Sequence, residues 1–138
     1  MELPQEFVQR MHRLLGQEAQ AFFAGYTEAP RRQGLRINRL KLTDPQPLLE
    51  AGFTLSAVPW APDGWFYPDS QRPGKHLYHD AGLYYIQEPS AMAPAVLLDA
   101  RLGERVLDLC AAPGGKSTQI ASDMQGEGLL ICNEIHPG

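Results

Sequence analysis

The chain has 138 residues, 43% of them apolar, 20% charged and 9% aromatic, a balance that fits a globular protein and excludes disordered, collagen-like and coiled-coil classes. Twelve basic residues against sixteen acidic ones give a formal charge of −4, which excludes a uniformly cationic nucleic-acid binder but leaves room for a local basic patch. No apolar run approaches the roughly 20 residues of a membrane helix, and the N-terminus lacks the basic-then-apolar order of a signal peptide, so a cytoplasmic location with no membrane partner is expected.

Phe7, Val8, Met11, Leu14 and Leu15 recur at helical spacing and end at Gly16. Gln17 to Tyr26 repeats the pattern with Ala19, Phe22, Phe23 and Tyr26, and the two helices are expected to pack on each other or on a sheet. From Gly34 to Leu42 the alternation of Leu35, Ile37 and Arg39 with their neighbours predicts a half-buried strand, with Arg36 on its solvent face. Asp44 reads as a helix N-cap and Pro45 as the first residue, with Leu48, Leu49 and Ala51 buried and Gly52 as the stop. A strand-like Phe53 to Val58 follows.

Residues 59–82 hold Pro59, Pro62, Pro68 and Pro73 among several aromatics, and read as a turn-rich connection with one short hairpin. They also supply the expected boundary between a small α/β domain, 1–82, and a second segment, 83–138. Glu88-Pro89-Ser90 opens a helix running to Asp99. Arg105 to Cys110 is a short apolar run typical of a buried parallel strand, and a loop from Ala111 to Gly115 leads to a helix over about Lys116–Met124. Leu129 to Asn133 is a second such strand, ending at Glu134. Strand, glycine loop, helix, strand and acid make half of a doubly wound nucleotide-binding fold, so the fold class is α/β.

A tight strand-to-helix turn needs residues without bulk, and Ala111-Ala112-Pro113-Gly114-Gly115 supplies them. An acid at the tip of the next strand, Glu134, is suited to accept hydrogen bonds from ribose hydroxyls. Residues 110–117, Cys-Ala-Ala-Pro-Gly-Gly-Lys-Ser, also match the phosphate-cradling GxxxxGK[ST] pattern except at its first position, where Cys110 replaces glycine. Pro113 removes one of the N–H donors such a cradle needs. Three readings stand at this point: S-adenosylmethionine, a nucleoside triphosphate, or a ligand-free structural unit. Asp108 has a parallel choice between a ligand contact and a carboxylate that braces the loop, and Lys116 between a ligand contact and an exposed first-turn lysine.

Val106 to Ser117, with its DLCAAPGGKS string, resembles the cofactor loop of the Sun/RsmF-type RNA cytosine-5 methyltransferases. Tyr84-Tyr85-Ile86-Gln87-Glu88-Pro89-Ser90-Ala91-Met92 is similar to the motif that precedes the loop there. Leu3 to Phe7, Leu35 to Asn38 and Arg72 to His76 are similar to the bacterial ribosomal-RNA branch. The resemblance implies a Rossmann-like methyltransferase fold and S-adenosyl-L-methionine as cofactor. It implies that Cys110, Ala111, Ala112, Pro113, Gly114, Gly115 and Lys116 surround that cofactor, Lys116 neutralising its carboxylate, and that Glu134 binds its ribose.

Cytosine carbon 5 is a poor nucleophile, and the resemblance implies a covalent solution in which a thiolate adds to carbon 6 and a second cysteine assists elimination. Those cysteines stand in Pro-Cys and Thr-Cys motifs. Here Cys110 follows Leu109 and Cys132 follows Ile131, so no catalytic residue is assigned and the chain is expected to be inactive as it stands. It reads as the N-terminal portion of such an enzyme, its unfinished sheet held by the N-terminal domain, another chain or exchange between copies. The two cysteines also lack CxxC spacing, and each is expected as a buried, reduced thiol.

Residues 1–80 carry nine basic and nine acidic side chains, whereas 81–138 carry three and seven. Arg31, Arg32, Arg36, Arg39 and Lys41 fall between Glu28 and Asp44 with no acid among them, and read as a strip that meets RNA phosphates, with ordinary solvated charge as the bland alternative. Trp60, Trp65, Phe66, Tyr67, Tyr78, Tyr84 and Tyr85 form either a small core or a base-stacking surface. His76 and His79, spaced HxxH without further ligands, give no metal site. The reading is therefore part of a ribosomal (16S) RNA cytosine-5 methyltransferase, with a non-catalytic RNA-binding module whose glycine loop is unused or holds a nucleotide as the alternative.

Overall fold

The computed structural model describes residues 3–27 and 32–135. The chain divides into two compact units, with the boundary at Arg31 and Arg32. In the first, α1 (Gln5–Leu15) and α2 (Ala19–Thr27) are joined by a single 3₁₀ turn. Gly16 ends α1 at φ 51°, and its N–H returns to the His12 carbonyl. The helices pack on each other as their spacing implies: the Phe7 ring meets Phe22, Phe23 and Tyr26 at centroid distances of 6.3, 6.4 and 6.3 Å.

The second unit carries two sheets. β1 (Gln33–Ile37) lies between β3 (Gly64–Tyr67) and β4 (Tyr84–Ile86), and β2 (Ser56–Ala57) pairs with β3, giving an antiparallel sheet in the order β2-β3-β1-β4. The expected division at residue 82 falls two residues before β4. The first half of the turn-rich stretch thus contains a strand whose partner lies some thirty residues upstream, Leu35 opposite Trp65. The strand predicted for 53–58 shrinks to its last part, and Arg39, expected within the β1 strand, stands in the turn after it.

Alternation gives this sheet two unlike faces. On one, Leu35, Ile37, Tyr67 and Tyr84 pack with Leu48 of α3 (Gln46–Glu50) as a hydrophobic core. The Asp44 carboxylate accepts the Gln46 N–H as the N-cap expectation requires, but Leu49 and Ala51 are exposed, so only Leu48 of the three expected residues is buried. The other face meets residues 87–119. A Cβ on Gly34 would stand 2.8 Å from the Gln87 carbonyl oxygen and from the Pro89 ring, and one on Gly64 would stand 2.6 Å from Met92 Sδ. Glycine here sets how closely the two layers approach, and Val58, Ala61, Phe66 and Met92 form the core between them.

After α4 (Leu77–Asp80) and β4, Glu88 accepts the Ala91 N–H and opens a 3₁₀ turn that continues into α5 (Ala93–Leu98). β5 (Arg105–Asp108) and β6 (Leu129–Cys132) then pair in parallel across α6 (Gly115–Met124), with Asp108 opposite Cys132. Ala95, Ala100, Ile120 and Met124 fill the space between α5 and α6, against Val106 and Leu130. This is the predicted half of a doubly wound fold, with one difference. The strands are not buried on both faces: Leu107, Leu129 and Ile131 are 56%, 42% and 49% exposed. Both cysteines, expected to be buried, are exposed. Among the described residues of this unit, α5 and α6 lie against one face of the two-stranded sheet, at Val106 and Leu130.

Gly126 and Gly128 both have positive φ, 82° and 109°, but a Cβ on Gly126 meets open space whereas one on Gly128 would collide with the Glu104 backbone. Gly126→Ala is expected to cost about 1–2 kcal/mol by denaturant unfolding and Gly128→Ala clearly more. Burial, with smaller contributions from Asp80 and Tyr67, pushes the Tyr84 phenol up to about 12, and its hydroxyl donates to the Pro73 carbonyl. A folded-state value raised above the ordinary 10 means stability that is present below pH 10 and lost as pH rises from about 10 to about 12. Unfolding titrations should show this fall in the native chain and a smaller one in Tyr84→Phe.

Candidate cofactor loop and basic surface

The loop after β5 is braced from below by Asp108. Its buried carboxylate accepts the Cys110 N–H at 3.1 Å and the Ser117 hydroxyl at 2.6 Å, tying the start of the loop to the first turn of α6. Bracing, one of the two roles open to Asp108, is the one these contacts describe. The ladder between the strands runs on into the loop: Ala111 N–H donates to the Asn133 carbonyl and Asn133 N–H to the Asp108 carbonyl. Glu134 follows at the strand tip, where Oε2 accepts the Ala112 N–H at 3.0 Å. Acid and glycine turn therefore share one place, as their spacing in sequence implied.

Gly114 N–H donates to the Ala111 carbonyl, and Gly114 itself sits at φ 108°, a conformation that only glycine adopts without strain. Every backbone N–H from Cys110 to Gly114 thus has a partner inside the protein, and Pro113 has none to offer. A phosphate cradle works by aiming such N–H groups at the ligand. The arrangement disfavours the triphosphate reading more strongly than the sequence mismatch did. Lys116, at the second position of α6, lines an open cavity of about 620 Å³ together with Leu107, Asp108, Leu109 and Ile120.

The N-terminal sheet holds this loop at two points. Tyr85 of β4 donates its hydroxyl to the Pro113 carbonyl at 2.9 Å. Arg36 of β1, only 3% exposed, donates through Nε to Gln87 Oε1 at 2.9 Å and through one terminal nitrogen to Thr118 Oγ1 at 2.9 Å and the Gly115 carbonyl at 3.3 Å. Burial lowers the Arg36 pKa, against the raising influence of Asp123 and Asp63. The expectation that alternation puts Arg36 in solvent is corrected here. It lies on the polar face of β1, but that face is covered by residues 87–119.

The other basic residues stay at the surface. Arg32 rests its guanidinium 5.0 Å from the Phe66 ring centroid, Arg39 pairs with Asp63 at 2.6 Å, and Lys41 donates to the Ala81 carbonyl. Arg31 lies outside the described residues. Most of the aromatic cluster is core, Tyr67 and Tyr84 on one face and Phe66 on the other. Trp60, 45% exposed, packs its ring edge-on against Phe66 and donates to the Pro89 carbonyl. His76 Nδ1 accepts the Tyr78 N–H and so caps α4. Among the described residues no group of three His, Cys, Asp or Glu side chains is arranged to hold a metal, and no helix is long and apolar enough to cross a membrane.

The structural ties made by Gln87, Thr118 and Tyr85 lie beyond what the sequence pattern specifies. One signal is present in the sequence: Thr118 stands one helical turn after Gly114, on the same side of the helix that follows the loop.

A family model described as the N-terminal domain of 16S rRNA methyltransferase RsmF matches residues 3–89, and one described as 16S rRNA methyltransferase RsmB/F matches residues 95–138. The chain is 41% identical over 119 residues to ribosomal RNA small subunit methyltransferase F of Shewanella frigidimarina, covering 81% of this chain and 25% of that protein. With the protein of the same name from Vibrio vulnificus it is 38% identical over 141 residues, covering 96% and 30%. The chain therefore spans between a quarter and a third of these relatives. A methyltransferase homologue from Pyrococcus horikoshii superposes with a TM-score of 0.80 at 33% identity, over 97% of this chain and 45% of that one. The structure of NSun6 from Pyrococcus horikoshii with SFG shares the fold at 16% identity, with a TM-score of 0.80 over 96% and 59%.

Asp108→Asn keeps the size of the brace but removes its charge. It is expected to cost about 1–3 kcal/mol in unfolding free energy, and Ser117→Ala less, because that change removes one partner and leaves the carboxylate bonded to Cys110.

Proposed function

The chain belongs to the 16S rRNA methyltransferase RsmB/F family, and we propose that it forms the N-terminal part of an S-adenosylmethionine-dependent enzyme that methylates carbon 5 of a cytosine in ribosomal RNA. The observation that carries the cofactor assignment is the loop itself, whose backbone N–H groups from 110 to 114 are already engaged while the Glu134 carboxylate stands against it at Ala112. Such a site suits a ligand with ribose hydroxyls and a carboxylate better than one with phosphates. In this reading Glu134 accepts from the ribose, Lys116 and the N-terminal end of α6 face the carboxylate, and Cys110 to Gly115 form a wall thin enough for close approach. The cofactor, when bound, supplies an electrophilic methyl group.

Residues 1–82 belong to the RNA-facing part in this reading and 83–138 begin the catalytic domain. Arg32, Arg39 and Lys41 keep their assignment to RNA phosphates, and Arg36, being buried, loses it. With neither a Pro-Cys nor a Thr-Cys sequence, these 138 residues by themselves transfer no methyl group. The enzyme acts in the cytoplasm, where ribosomes are assembled.

Titration calorimetry should detect S-adenosylmethionine and no ATP, with Glu134→Gln weakening the former about tenfold, and binding of ATP alone would sink the assignment. Arg32→Gln should lower RNA affinity and reduce the salt slope by about one unit, against an unchanged slope if the residue is merely solvated.

A further inference from the structure

We propose that Arg36 is a positioning residue that sets the conformation of the cofactor loop from the neighbouring sheet, through Thr118 on one side and Gln87 on the other. The inference rests on the cofactor reading above for its functional meaning, but its structural half is independent of that reading.

The geometry has a direction. Thr118 Oγ1 accepts from Arg36 at 2.9 Å and donates to the Gly114 carbonyl at 2.8 Å, so the guanidinium fixes which way the hydroxyl points and thereby holds the glycine at the apex of the turn. On the other side, Gln87 Oε1 accepts from Arg36 Nε, which commits the amide nitrogen of Gln87 to the Ala91 carbonyl at 3.0 Å and toward Gln119 Oε1 at 3.5 Å. Gln119 in turn donates to the Met92 carbonyl at 3.3 Å. A single side chain thus orders the amide of Gln87, the hydroxyl of Thr118 and the first-turn carbonyl of Gly115. Space is as constrained as bonding: a Cβ on Gly115 would stand 3.3 Å from the Gln87 amide carbon.

Lysine does not substitute for this. Its ammonium is a compact point charge, whereas the planar fork of arginine reaches acceptors in two directions at once. Arg36→Lys therefore keeps the charge and most of the bulk while removing one side of the link, and Thr118→Val removes the hydroxyl while leaving Arg36 in place. Thr118→Ser keeps the hydroxyl and serves as the rescue.

Two measurements on the 138-residue chain read the effect. Amide hydrogen exchange at residues 111–118 should accelerate at least tenfold in Arg36→Lys and in Thr118→Val, and return to the native rate in Thr118→Ser. The amides of Ile37 and Asn38, which bond to Asp63 and Leu83, should be unchanged. The dissociation constant for S-adenosylhomocysteine should rise about tenfold in the same two variants, with the double variant no worse than either alone. Native exchange in the loop of Arg36→Lys, or acceleration spread equally over the β1 amides, would overturn the proposal. Native-chain failure to bind S-adenosylhomocysteine, with the loop amides still responding, would overturn the cofactor reading and leave the positioning role standing.

Discussion

The second unit is organised around a buried positive charge. Taking a guanidinium out of water costs several kcal/mol unless its donors find partners, and Arg36 offsets part of that cost through Nε and one terminal nitrogen, which donate to side-chain and carbonyl oxygens. Asp123 and Asp63 act on it from farther away, and the Tyr85 ring lies with its centroid 6.0 Å from the guanidinium carbon. Much of the local architecture serves this arrangement. Gly34 and Gly64 flank Arg36 in the sheet and lack side chains where residues 87–92 come closest, which lets Gln87 and Thr118 reach it.

The conformation of the loop after β5 is a consequence of the same layering. It is tied on several sides: Asp108 joins its base to α6, Asn133 and Glu134 bond to Ala111 and Ala112, and Tyr85 and Thr118 hold its apex. A loop that spends its N–H groups on itself has few left to aim at a phosphate. That is a different solution from the N–H nest whose sequence pattern it nearly matches, and the two diverge at Cys110 and Pro113.

Much of this was legible in the sequence because it is local. The helix of Phe7 to Leu15, the cap at Asp44, the opening at Glu88 and the order strand, loop, helix, strand, acid all depend on residues within a few positions of one another. The strand Gly64–Tyr67 was obscured because its short run sits among prolines and its partner is distant. Alternation along β1 has the right period, but a period of two says which residues share a face and not what covers it. Cys110 and Cys132 show the reverse, since residue type favours burial for thiols whereas exposure depends on what packs around them in the fold.

By itself the sequence determined the α/β class, the half of a doubly wound fold, the loop with its acid at Glu134, and the residue strings that mark the family. Only the tertiary structure decided the role of each charged residue. Arg36, Arg39 and Lys41 lie within six positions and look alike in the chain, but β1 sits between two packed layers while the turn that follows it leaves the sheet. Burial is a property of what folds over a residue from elsewhere, and for Arg36 that cover comes from residues 87–119.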